Sequence, residues 1–293
     1  MLLCFALCLS LTSFSVSAVA EPQNEARAGE KKEPWLVGVS NKNPSAYTAV
    51  SVTHNGVSLG NIGRIIGGVV YVPIRQYVET TTDLTVTYYS STRTVTVSGG
   101  GHNISASHGA YTMYANGRAL FATSPSVLMS NGRMYVPFES LARALSLGYE
   151  YSSDTVRTKG TAAPLTPAEQ YYREDAVYWL SRIISAESRG ESLLGQIAVG
   201  NVILNRVASG NFPNTIWGVI FDRKYGVQFS PVANGTVYNA PTYNATLAAK
   251  ICLEGFTLSD ETMYFVAPKV VSDSWIQRTR EYAFSIGNHD FYK

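Results

Sequence analysis

One carboxyl in this 293-residue chain stands where a solvated acid is not expected. Val177, Leu180, Ile183 and Ile184 recur at the spacing of a buried helix face. Glu187 follows Leu180 by seven positions and Ile184 by three, so it prolongs that face, while Ser185 and Ser188 fall off the stripe. A carboxyl carried into apolar surroundings without a cation holds its proton to higher pH. A carboxylic acid still protonated near neutrality is what a general acid for glycosidic cleavage requires. The competing reading makes Glu187 a structural partner of Arg182 or Arg189 at the helix end.

The residues that follow sort into supporting and contacting roles. Ser188-Arg189-Gly190 interrupts the helix, and Glu191 opens the next segment, where a helix dipole favours an acid. Glu191 is therefore expected as a cap or supporting partner rather than a second catalyst. Leu193 to Val207 is apolar nearly all round, the pattern of a central helix, yet it carries Asn201, Asn205 and Arg206. Asn201 and Asn205 share a face, and buried amides must be hydrogen-bonded. They are expected to hold neighbouring loops, with Asn201 and Arg206 in supporting roles and Asn205 also a candidate for substrate contact.

Farther on the chain is loop-rich and aromatic. Tyr225 to Pro231 sets Gln228 and Ser230 around Phe229 on a loop. Met263 to Val266 reads as a strand bearing Tyr264, Trp275 follows on a loop, and the last motif, Ile286 to Tyr292, brings His289. Sugar-binding grooves combine amides and hydroxyls with flat aromatic faces. Gln228, Phe229, Ser230, Tyr264 and His289 thus join Asn205 as candidate substrate-binding residues, although core packing claims many aromatics. Asp222, Asp260 and Asp273 read as loop residues. No Cys/His cluster accompanies His289, so no zinc site is expected and no cofactor is implied. His102 and His108, in the Gly/Ser-rich stretch Gly99 to Gly109, read as an exposed hairpin tip rather than a metal site.

These residues need a scaffold, and the chain divides into stretches of different character. Leu2 to Val16 is apolar and Ala18-Val19-Ala20 precedes Glu21, the pattern of an export signal over 1–20. The run is too short for a comfortable membrane span, so a secreted protein with no span after cleavage is expected. Cys4 and Cys8 lie in that signal. Cys252, within Ala248 to Leu253, reads as a small buried hydrophobe. Residues 21–34 read as a polar linker. Residues 35–158 are rich in Val, Thr, Tyr, Gly and Ser, with strands at Leu84 to Tyr89 and Thr94 to Val97 joined by a turn at Ser90 to Arg93. This region repeats itself. Gly67-Gly68-Val69-Val70-Tyr71-Val72-Pro73 corresponds to Asn131-Gly132-Arg133-Met134-Tyr135-Val136-Pro137, each followed by a short helix and a strand ending in Tyr-Ser-Ser. Two such units should pack around a shared core. Residues 159–164 read as a linker. Thr166-Pro167-Ala168-Glu169 reads as a capping box, starting a last domain at 165–293. Net charge is +2 with no basic stripe, which argues against a nucleic-acid partner.

Residues 35–158 resemble the copper amine oxidase N-terminal-like repeat domain through the paired Tyr-Val-Pro motifs. That resemblance implies a module that binds the wall or a protein partner, without copper or oxidase activity. Ser185-Ala186-Glu187-Ser188-Arg189-Gly190-Glu191, Asn201 to Val207, Phe212 to Ile220, Gln228 to Val232 and Gly287 to Tyr292 are similar to the core of the spore-cortex-lytic (SleB-type) cell-wall hydrolases. Ser188 stands where that family usually has Ala. The resemblance implies a mainly helical, lysozyme-like domain acting on peptidoglycan glycan strands, with Glu187 as catalytic acid. The chain is thus expected to be α+β, with a strand-rich repeat domain ahead of a mainly α domain. Three functions remain open: a lytic transglycosylase that closes a 1,6-anhydro ring, a lysozyme-like hydrolase in which Glu191 or Asp222 positions water, and a non-catalytic wall-binding protein.

Overall fold

The computed structural model describes residues 48–128, 132–152, 155–271 and 274–293. The expected export signal, the 21–34 linker, Trp35 to Tyr47 and Asp273 lie outside the described residues. Among the described residues no helix is long and apolar enough to cross a membrane.

The first part is strand-rich because Val, Ile, Thr and Tyr alternate along it. Its elements are β1 (Thr48–His54), β2 (Val57–Ile66), β3 (Val69–Pro73), α1 (Ile74–Thr81), β4 (Thr85–Tyr89), β5 (Thr94–Gly99), β6 (His102–Ser107), β7 (Thr112–Ala115), β8 (Arg118–Phe121), β9 (Val127–Leu128), β10 (Met134–Pro137), α2 (Phe138–Ala144), β11 (Gly148–Ser152) and β12 (Thr155–Lys159). One sheet runs β11-β12-β1-β2-β3-β10-β9 and a second β4-β5-β6-β7-β8. In the hairpin of β4 and β5, Val86, Val95 and Val97 are buried while the intervening threonines face outward, the period-two pattern of a one-sided strand.

The two copies of the repeat meet strand to strand. β3 and β10 pair antiparallel with Val72 opposite Val136 and each proline opposite the other copy's tyrosine. Pro73 and Pro137 are the N-cap residues of α1 and α2. They sit one place before the first helical position, still in extended backbone, where the missing N–H costs least. Val72, Ile74, Tyr77, Val136, Phe138 and Leu141 contribute to one core with both sheets. β12 returns to lie parallel to β1, Val156 opposite Val52. The hydroxyls of buried Tyr77 and Thr158 hydrogen-bond at 2.7 Å beneath that pair.

His102 departs from expectation. It opens β6 and is buried, its Nδ1 3.1 Å from the Gly99 carbonyl oxygen. Six extended residues place His108 about 20 Å away, so the two imidazoles cannot share an ion.

The second part comprises α3 (Ala168–Tyr171), α4 (Glu174–Ser188), α5 (Leu193–Ala208), α6 (Ile216–Ile220), α7 (Ser230–Asn234), α8 (Tyr243–Leu253), β13 (Tyr264–Val266), α9 (Trp275–Thr279), β14 (Tyr282–Ile286) and β15 (His289–Tyr292). The strands form a small sheet ordered β13-β15-β14. The capping box expected at Thr166 does not form, and the segment after it holds two helices, α3 and α4. α3 starts at Ala168 with Pro167 as an N-cap that makes no side-chain bond. The Ala168 N–H, in the first turn, donates to the Asn116 carbonyl. The break falls at Tyr172, whose hydroxyl accepts from the Ala119 N–H and donates to Glu254.

α4, α5 and α8 pack against one another around Leu180, Ile184, Ile197, Val202, Ala248 and Ile251. Close approach depends on Gly200, where an added Cβ would sit 2.7 Å from Cys252 Sγ and 2.8 Å from Ile184 Cδ1. Gly200→Ala is expected to cost about 1–3 kcal/mol through overpacking, read as a lowered urea midpoint at unchanged slope; an unaltered midpoint would mean that the helices separate freely. Cys252 is buried in this contact, as expected.

The strand-rich part is joined to the helical part through its own core. Ala119 and Phe121 of β8 belong to the helical cluster, and Phe121 meets Phe256 edge-to-face at 4.7 Å. Beside them the Glu254 carboxylate, 1 % exposed, accepts from Arg118 Nε at 2.8 Å and Arg118 Nη2 at 2.7 Å. It also accepts from Tyr172 Oη at 2.6 Å. Arg143 Nη2 donates to the Glu254 backbone carbonyl. The Arg118 guanidinium lies 3.4 Å over the Tyr171 ring.

Candidate active site

Glu187 lies in the last turn of α4, on the face that Leu180, Ile183 and Ile184 bury. It is half-buried and lines a groove of about 1200 Å³. Among the described residues nothing donates a hydrogen bond to its carboxyl and no cation pairs with it. Arg182 stacks on Tyr178 at 3.6 Å instead, and Arg189 is exposed. Burial alone pushes the Glu187 carboxyl up to about 7. Ser185 and Ser188 are buried, contrary to the sequence expectation, because α4 is covered by α5 on one side and α8 on another. Ser188 Oγ donates to the Ile184 carbonyl, and Ser185 Oγ accepts from the N–H of Thr242, the residue that caps α8.

The groove collects side chains from distant stretches. Arg206 reaches it from the end of α5, Gln228 and Ser230 from the approach to α7, Tyr264 from β13 and His289 from β15, with buried Phe229 as floor. Ser230 opens a helix rather than sitting on a loop. Tyr225, Val270 and Trp275 stand exposed along the rim. Trp275 is the first residue of α9, not a loop residue; the Ser274-x-x-Gln277 capping box starts that helix and was readable in the sequence. Arg280, near the rings of Tyr264 and Trp275, also lines the groove, and no sequence pattern singled it out.

Arg206 is 5 % exposed. Its Nε donates to the Met263 carbonyl at 2.7 Å, and its guanidinium is 4.9 Å from the Phe212 ring, 5.3 Å from Phe229 and 5.2 Å from Tyr264. Nη1 is buried and has no hydrogen-bond partner. Desolvation lowers this guanidinium to about 10, so it remains a cation at neutral pH.

Other candidates stand back from the groove. Asn205, a candidate for substrate contact, is not among its lining residues. Its amide donates to the carbonyls of Ser259 and Thr262, because the loop from Phe256 to Thr262 has no ladder of its own to satisfy its backbone. Asn201 serves the same loop, donating to the Phe256 carbonyl and accepting from Leu258 N–H. The cap of α5 is Ser192, which accepts from Gly195 N–H. Glu191 instead accepts from the backbone N–H and side-chain amide of Asn288, holding the β14–β15 turn where Gly287, at φ 57°, leaves no room for a Cβ beside the carboxylate. His289 Nδ1 lies 3.8 Å from Glu191, beyond hydrogen-bond length. Desolvation outweighs the pull of Glu191 and Asp290 and lowers the imidazole below its ordinary value. Asp222 accepts from Lys224 N–H in a turn outside the groove lining.

Fold and groove define a chain of two joined parts, a strand-rich module and a helical part with an uncompensated carboxyl on a groove. Residues 190–292 match the model of the cell wall hydrolase family, and residues 54–159 that of the copper amine oxidase N-terminal domain. The first match begins just after Glu187. The residues present in the second do not fit a copper centre: among the described residues no three His, Cys, Asp or Glu side chains converge. The chain is 36 % identical over 137 residues to a spore cortex-lytic enzyme of Bacillus cereus, covering 47 % of this chain and 49 % of that protein. It is 37 % identical over 112 residues to the spore cortex-lytic enzyme of Bacillus subtilis, covering 38 % and 35 %. The chain thus spans about half the length, or less, of these curated relatives. The solved catalytic domain of the germination-specific lytic transglycosylase SleB from Bacillus anthracis is 37 % identical, covering 44 % of this chain and all of that one, with a TM-score of 0.39.

Proposed function

We propose that the helical part cleaves the glycan strands of peptidoglycan as a lytic transglycosylase, with Glu187 as both acid and base. The observation that carries this reading is the unpaired, half-buried carboxyl of Glu187 at the groove, protonated up to about pH 7. It gives its proton to the glycosidic oxygen between N-acetylmuramic acid and N-acetylglucosamine as that bond to C1 breaks. The resulting carboxylate takes the proton of the muramic 6-hydroxyl as that oxygen bonds to C1, closing a 1,6-anhydro ring. Atoms balance without added water. Glycosidases that use water place a second carboxylate across the bond. Among the described residues lining the groove, Glu187 is the sole acid, and Glu191 is occupied by Asn288. The names of the relatives, cortex-lytic enzyme and lytic transglycosylase, favour the same chemistry.

In this reading residues 165–293 form a lysozyme-like catalytic domain. Residues 35–158 grip the wall or a protein partner, and residues 1–20 direct export to the wall or spore cortex. Digestion of purified sacculi, from cortex and from vegetative wall, tests the chemistry. Mass spectrometry is expected to find muropeptides lighter by one water at their muramic ends. Reducing muramic ends would assign the reaction to a hydrolase, and undigested sacculi would leave a wall-binding protein.

A further inference from the structure

Arg206 presents an unsolved charge problem. A buried guanidinium needs acceptors in the plane of its N–H groups. Those it has are the Met263 carbonyl at Nε and three aromatic rings at 4.9–5.3 Å. Ring faces stabilise a cation, but they offer no in-plane lone pair to Nη1, which is enclosed and unpartnered. Among the described residues no carboxylate pairs with it, and Asp222 acts only at a distance, its carboxylate held by the Lys224 N–H. The groove carries further cations beyond Arg206, lined also by Lys224 and Arg280, while Lys293 at its edge is paired with Glu261 and Glu281. A glycan of N-acetylglucosamine alone is neutral. N-acetylmuramic acid adds one acyl group that can meet a cation, the lactyl carboxyl on O3, free or joined to a stem peptide.

The geometry points to Arg206 as the residue that recognises the lactyl acyl oxygen of N-acetylmuramic acid and so distinguishes it from N-acetylglucosamine in the groove. This rests on the peptidoglycan reading and adds to it the basis of sugar selection. The aromatic cage and the Met263 carbonyl fix the guanidinium before substrate arrives, so the fork is already oriented when the acyl oxygen enters.

The test needs no turnover, so its failure is separable from failure of the transglycosylase reading. The full chain, labelled at arginine side chains, is titrated by NMR with N-acetylmuramic acid, with its lactyl methylamide and with N-acetylglucosamine. Arg206 guanidinium resonances are expected to shift with the muramyl ligands and not with N-acetylglucosamine. A shift with the acid alone assigns the free carboxylate, and a shift with both assigns the peptide-bearing form. Arg206→Met is expected to weaken binding of N-acetylmuramic acid about 10- to 100-fold and that of N-acetylglucosamine less than about threefold. Arg206→Lys, which keeps the charge and loses the fork, should fall between. Equal perturbation by all three sugars, no perturbation by any, or equal losses in Arg206→Met would overturn the assignment. The wild-type titration stands even where a variant does not fold.

Discussion

Glu187→Gln is expected to fold and to lyse sacculi roughly a thousandfold more slowly, within the range that one positioned general acid supplies. Glutamine keeps the shape of the side chain but has no proton to give and no carboxylate to take one back. In the wild type the reactive form is the protonated acid, so the rate should hold below about pH 7 and fall above it. The same proton has a stability consequence of definite sign. The carboxyl titrates near 4.5 when unfolded and near 7 when folded, so the folded state binds the proton more tightly. That advantage is fully present below about pH 4.5 and is lost as pH rises through 7. At about 1.4 kcal/mol per pH unit it amounts to at most about 3.5 kcal/mol, reduced by the side chain's opening to the groove. Glu187→Gln has nothing to deprotonate, so its urea midpoint should match wild type at pH 4 and exceed it at pH 8. Full lytic activity in the variant, or a midpoint difference independent of pH, would remove Glu187 from the mechanism.

The second large effect is expected far from the groove. Arg118→Ala removes both guanidinium bonds to a carboxylate that is 1 % exposed and lies between the strand-rich and helical parts. Stranding a buried charge costs about 3–5 kcal/mol. Tyr172 Oη still donates to Glu254 and Arg143 Nη2 stands 3.8 Å away, which places the expected loss at the lower end. Arg118→Met with Glu254→Leu removes both charges together and should recover most of the loss. Urea unfolding followed by Trp fluorescence, to which the helical part contributes Trp179, Trp217 and Trp275 of the four tryptophans, and by far-UV circular dichroism reads both changes. Coincident transitions are expected in the wild type and separated ones in Arg118→Ala. A midpoint within about 0.5 kcal/mol of wild type would show that the two parts are joined by their apolar contact alone.

Local pattern made much of this structure legible. The paired Tyr-Val-Pro motifs announced two matching units, and the register of Val72 on Val136 shows how they meet. The i, i+3, i+7 progression carried Glu187 onto a buried face because one helix surface needs only neighbouring residues to define it. What escaped had causes distant in sequence. The Thr166 box formed no cap: the helix starts one residue later, after Pro167, and the Ala168 N–H goes to the carbonyl of Asn116, fifty positions before Thr166. Tyr172 breaks a helix to reach Glu254, eighty-two positions away. His102, in a stretch of Gly and Ser, is buried by sheet pairing that its neighbours did not foretell. Within the groove, Gln228, Phe229, Ser230, Tyr264 and His289 were readable as types suited to a sugar site. That Asn205 turns away and Arg280 turns in depends on how the loop from Phe256 to Thr262 and the short helix α9 fold back.

The parallel pairing of β1 with β12 has a mechanical meaning. Ser51 lies beside Thr155 and His54 beside Thr158, so the strand that enters this part and the strand that leaves it run side by side in the same direction. Tension between the chain before Thr48 and the chain after Lys159 pulls the two strands past each other. The whole ladder then bears the load at once, instead of parting one bond at a time from an end.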